Sequence, residues 1–140
     1  VIGSDNVVLN LSAAFSDKNI GNSKVVTSTS TLSGTSSSNY ALSQPTGLTA
    51  NISKADLNLT NITASNKVYD RTTTATVSGT PSLSGVIGTD DVNIAGTAVY
   101  SFASSSVANS KSVSISGLTL NGVDAGNYFS NWARASGGAS

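Results

Sequence analysis

The chain has 140 residues with seven basic and seven acidic side chains, so its formal net charge at pH 7 is zero and only 10% of residues are charged. That excludes a nucleic-acid binder acting through clustered positive charge, because phosphate neutralisation needs many Lys and Arg side chains close together. Cys, Met and His are absent, which removes thiols, disulfides and imidazole chemistry, while an apolar content of 38% still supplies a core.

Hydroxyls dominate what remains. There are 27 Ser and 16 Thr, and every acidic residue is Asp. Side chains of this kind compete with helical backbone hydrogen bonds, so helix is disfavoured and strands with tight turns are expected. Along the chain, Val7, Leu9, Leu11, Ala13 and Phe15 alternate with neighbours of the opposite face, which predicts a strand over 7–15 with Leu9 inside. Leu48, Ala50 and Ile52 predict a second strand, and Leu57 and Leu59 a third. Val92, Ile94, Ala98 and Tyr100 repeat the first pattern over 92–102, with Ile94 inside. Val113 and Ile115 begin a strand that changes phase across Gly117 and continues at Leu118 and Leu120, the signature of a β-bulge. Turn-rich segments such as Gly88-Thr89-Asp90 and Asn121-Gly122-Val123-Asp124 separate these strands. The fold class that follows is all-β: antiparallel, sandwich-like modules rather than a β-helix, whose coils repeat every ~20–30 residues.

The modules are expected in tandem because the chain resembles itself. Val1-Ile2-Gly3-Ser4-Asp5-Asn6-Val7 matches Val86-Ile87-Gly88-Thr89-Asp90-Asp91-Val92 at five of seven positions, an offset of 85. Asn22-Ser23-Lys24 falls on Asn109-Ser110-Lys111, and Asn39-Tyr40 on Asn127-Tyr128. The division expected is 1–54 as the C-terminal part of one repeat, 55–132 as most of a second, and 133–140 as a flexible tail.

Asn66-Lys67-Val68-Tyr69-Asp70-Arg71-Thr72-Thr73 resembles the Lys-x-Tyr-Asp-Gly-Thr-Thr signature of the YDG repeat, found in large filamentous-haemagglutinin-like bacterial adhesins. Phe15-Ser16-Asp17-Lys18-Asn19-Ile20-Gly21 and Asp124-Ala125-Gly126-Asn127-Tyr128 are similar to two further stretches of that family. The resemblance singles out Lys67, Tyr69, Asp70, Thr72 and Thr73 and implies an extracellular or cell-surface repeat, with no catalytic residue and no cofactor. Arg71 stands where the signature usually has Gly, so a turn requiring positive φ would tax its side chain.

Without His, Cys or Glu, acid–base catalysis would rest on Asp, Lys or Tyr, and no arrangement of them suggests an enzyme. Calcium is the metal the loops suit best, through Asp90, Asp91 and Asp124 among carbonyl and amide oxygens, although no ordered ligand series is present. Ser23-Lys24 and Ser110-Lys111 read as solvated strand starts, and Tyr69, Tyr100 and Tyr128 as half-buried strand-end residues. No stretch is long and apolar enough to span a bilayer, and no signal peptide is visible. The function expected is a structural, adhesive repeat of a fibre or stalk, with neighbouring repeats or copies of itself as partners; a carbohydrate-binding module using exposed aromatics is the alternative. Because residues 1–40 lack a counterpart of 55–85, they are expected to seek one by strand complementation, while 41–54 fold back onto the second copy.

Overall fold

The computed structural model describes residues 1–132; the expected tail at 133–140 lies outside the described residues. Short alternating runs punctuated by Gly, Asn and Ser give short strands, and among the described residues they form five small sheets of two or three strands. The chain divides into two units, Val1–Ser53 and the residues from Lys54 onward.

The first unit holds β1 (Val8–Asn10), β2 (Ala13–Phe15), β3 (Gly21–Ser28), β4 (Thr31–Ser33) and β5 (Thr49–Ile52), with a 3-10 turn at Ser37–Asn39. β1 pairs antiparallel with β4, and β3 lies antiparallel between β2 and β5. The strand expected over 7–15 is therefore two strands. It breaks at Leu11-Ser12, where Ser12 takes hydrogen bonds from Thr29 N and gives its own N–H to Ser30 Oγ. Leu9 is 50% exposed rather than inside, because β1 pairs only with β4 and nothing covers that face. Leu48 and Ala50 are likewise exposed. The segment 41–54 does not fold back onto the second copy, since its Thr49–Ile52 strand pairs with β3.

The second unit adds β6 (Ala55–Thr60), β7 (Thr63–Ala64), β8 (Val77–Ser78), β9 (Ser82–Ser84), β10 (Asn93–Phe102), β11 (Val113–Asn121) and β12 (Tyr128–Ser130), the last preceded by a 3-10 turn at Ala125–Asn127. β10 and β11 form the longest ribbon, antiparallel, with a register shift between Gly96 and Val99. There Thr97 and Ala98 oppose Gly117 alone, so the phase change read at Gly117 is a bulge. A Cβ at Gly117, whose φ is +78°, would stand 2.2 Å from Thr97 O, which is why a glycine occupies the position. β6 lies between β9, antiparallel, and β12, which runs parallel to it. This pair, the one parallel pair among the described residues, qualifies the expected antiparallel architecture; it arises because the chain returns to β6 after the whole ribbon, with room for the crossover that parallel pairing requires.

The apolar core belongs to this second unit. Leu57 is fully buried, and Val92, Tyr128 and Trp132 close around it with Leu59, Leu83, Leu118 and Leu120 packed against them. Ile94, expected inside, is half-buried. In the first unit no apolar side chain is buried, and the buried residue there is Ser30.

Candidate functional site

The signature loop is held by one ammonium group. Lys67 Nζ donates to Asp70 Oδ1 at 2.8 Å, to Thr72 O at 2.8 Å and to Thr72 Oγ1 at 2.9 Å. Asp70 Oδ1 also accepts from Thr72 N and Thr72 Oγ1, each at 2.9 Å. The Lys67 ammonium beside it, together with these Thr72 bonds, lowers the Asp70 carboxyl to about 2. Lys67 also lies over the Phe102 ring, 5.7 Å from its centroid, within cation–π range. Immediately after the loop the chain zips onto β10: Phe102 N donates to Thr73 O at 2.7 Å, Thr74 bridges Ser101, and Ala75 N donates to Tyr100 O at 3.1 Å. Lys67, Asp70 and Thr72 thus form a clasp, and Thr73 its attachment to the ribbon. Arg71 takes a φ of +66°, so the turn keeps the left-handed residue its signature glycine would supply.

Tyr69 stands apart from the clasp. It is 58% exposed, not half-buried as expected, because the clasp turns residues 68 and 69 outward. Of the other two tyrosines grouped with it, Tyr100 is half-buried and Tyr128 is buried. Tyr69 lines an open groove of about 630 Å³ together with Val68, Phe102, Val107 and Asn109. Hydroxyl, amide and ammonium groups of Ser104, Asn109 and Lys111 share this lining with the aromatic rings.

A second constellation joins each 3-10 turn to the loop that begins its ribbon. Tyr128 OH donates to Asp90 Oδ2 at 2.8 Å and accepts from Ile87 N at 3.0 Å. Tyr40 OH donates to Asp5 Oδ2 at 2.8 Å and accepts from Ile2 N at 2.7 Å. Burial, first, and then the neighbouring Asp90 carboxylate raise the Tyr128 hydroxyl above its ordinary range, partly offset by the Ile87 N–H. The remaining calcium candidates serve backbone and amide donors: Asp124 Oδ2 accepts from Asp91 N, and Asp91 accepts from Asn93 Nδ2 and Val123 N. Among the described residues no three carboxylates converge.

Two lysines read as solvated prove to be loop caps. Lys24 pairs with Asp17 and donates to Asn19 O at 2.7 Å, its side chain only 10% exposed; the Asp17 carboxyl is lowered chiefly by that lysine. Lys111 donates to Ser104 Oγ at 2.7 Å and Ser106 O at 2.6 Å. Each follows a residue of positive φ, Ser23 at +50° and Ser110 at +52°. The shared Asn-Ser-Lys triplets carried the signal, but extended-strand geometry could not show that the loop curls back over the ammonium. Sequence reasoning also missed the hydroxyl network of Ser12, Ser28, Ser30 and Gln44, in which Gln44 Nε2 donates to Ser30 O at 2.6 Å.

Correspondence extends to strand register. Val8 pairs with Ser33 and Asn10 with Thr31, as Asn93 pairs with Asn121 and Ala95 with Thr119; Phe15 pairs with Val26 as Phe102 does with Val113. An all-β chain of small sheets, clasped by Lys, Tyr and Asp side chains, is the class these observations define. The family model of the YDG domain matches residues 1–47 and 53–135, and the chain belongs to that family. No curated protein and no solved structure matches it.

Proposed function

We propose that the chain is a structural repeat of an extracellular bacterial adhesive fibre or stalk, its modules joined in tandem and its role to hold a fixed shape between neighbours. The observation that carries the reading is the recurrence of one clamp, one loop cap and one ribbon register at offsets of 85 to 88 in both units. Lys24, Lys67, Lys111, Asp91 and Asp124 hold backbone groups of their loops, which suits a scaffold. A hydroxyl-rich surface of zero net charge stays hydrated without steering ions. Immunogold labelling of the source cells with antibody against the chain tests the proposal: label on surface filaments is expected, and label confined to the cell interior would overturn it.

The groove beside Tyr69 favours a second reading, a carbohydrate-binding module. Glycan-array binding that Tyr69→Ala abolishes, with the melting temperature unchanged, would favour it over the purely structural role.

A further inference from the structure

The β2–β3 and β10–β11 loops carry the same lysine cap with one exchange. In the first unit Lys24 Nζ pairs with Asp17 Oδ1 and donates to Asn19 O, and the same Asp17 oxygen accepts from Asn19 N at 2.8 Å. At an offset of 87 the second unit has Ser104 for Asp17, Ser106 for Asn19 and Lys111 for Lys24. Lys111 Nζ again reaches both places, Ser104 Oγ at 2.7 Å and Ser106 O at 2.6 Å, and also donates to Ser104 O. What the exchange removes is the carboxylate. Among the described residues no acid pairs with Lys111, and no acceptor takes the Ser106 N–H. The Ser104 hydroxyl accepts from the ammonium and keeps its own proton to give.

This second loop lines the groove beside Tyr69. The charged side chains of the lining are Lys67 and Lys111, with no acid among them, and Asp70 already balances Lys67. The charge left over in the groove is therefore that of Lys111. We infer that the groove binds a sugar that carries its own carboxylate, a uronic or sialic acid, whose carboxylate takes the place that Asp17 fills in the first unit. Ser104 Oγ–H and Ser106 N–H donate to it, the Lys111 ammonium supplies the opposite charge, and the exposed Tyr69 offers a ring face to the sugar. The inference rests on the carbohydrate reading of this groove and deepens it by naming the charge of the ligand and the groups that read it. A sugar is named rather than an acidic peptide because Asn66, Ser105 and Asn109 line the same groove with groups that pair with hydroxyls.

The test is titration of the full chain with a galacturonic acid trisaccharide and with sialyllactose, each compared with its methyl ester, which keeps the skeleton and removes the charge. At neutral pH and low salt at least one acid is expected to bind about tenfold or more tighter than its ester, with the Ser106 amide resonance moving as it binds. Ser104→Asp supplies the carboxylate from within, as Asp17 does in the first unit, so it should abolish the preference for the acid without lowering the melting temperature. Equal affinity for acid and ester, a preference that survives Ser104→Asp, or binding of an Asp-rich peptide in place of both acids would each overturn the inference. Equal affinity that Tyr69→Ala removes would leave the carbohydrate reading standing. Silence from acids and esters alike would end both, and the structural role would remain.

Discussion

A lysine among backbone carbonyls is the recurring device of this molecule at the residue scale. Lys24, Lys67 and Lys111 each gather a loop whose carbonyls would otherwise face water, and in two cases an Asp joins as counter-charge. Asp70 is depressed in the folded state, to about 2 from an ordinary 3.8. Its contribution is therefore complete above about pH 4 and is lost as pH falls toward about 2. Acid titration followed by NMR should show Thr72 and Lys67 resonances moving through that window, and Asp70→Asn should flatten the change. Tyr128 has the opposite sign. Its raised hydroxyl pKa makes its contribution full below pH 10 and lost as pH climbs beyond it. Tyr128→Phe should lower the melting temperature more than Tyr40→Phe, because the Tyr128 ring is buried and the bond its hydroxyl makes with Ile87 N–H is harder for water to replace. Arg71→Gly is expected to stabilise by up to about 1 kcal/mol, by denaturant melts, since the left-handed backbone strains a side chain and glycine's entropy returns part of the gain.

Among the elements, the β10–β11 ribbon and the β6 strand show where period-two reasoning works. Leu57 and Leu59, and Val113, Ile115, Leu118 and Leu120, all turn toward cover, and the change of phase falls at Gly117 as read. Leu57→Ala should cost about 2–5 kcal/mol, because it empties the one fully buried large site among the described residues. The same pattern in β1 promised a buried Leu9 and did not deliver it. Alternation says which side chains share a face, and only a second layer decides whether that face is dry. Gly117→Ala should also destabilise, by forcing backbone apart at the bulge; a chain that melts unchanged would mean the bulge relocates.

Across the whole molecule, stability is unevenly spread. With no buried apolar side chain, the first unit relies on paired strands and the Ser12, Ser28, Ser30 and Gln44 network, whereas the second has Leu57 and its neighbours. Native-state hydrogen exchange should find β1 to β5 opening at lower free energy than β6, β10 and β11; equal protection in the two units would contradict the core assignment. By itself the sequence determined the all-β class, a strand through Leu57 and Leu59, one over 92–102 and one from Val113 to Leu120, the bulge and the 85-residue echo, because backbone propensity, face alternation and self-similarity are local properties of the chain. Only the tertiary structure decided that Tyr69 is outside and Tyr128 inside, that Lys24 and Lys111 cap loops, that 49–52 pairs with β3, and that β12 lies parallel to β6. Each of these depends on which distant strand arrives to bury a ring or accept a proton, and that is a matter of three-dimensional neighbours rather than spacing along the chain.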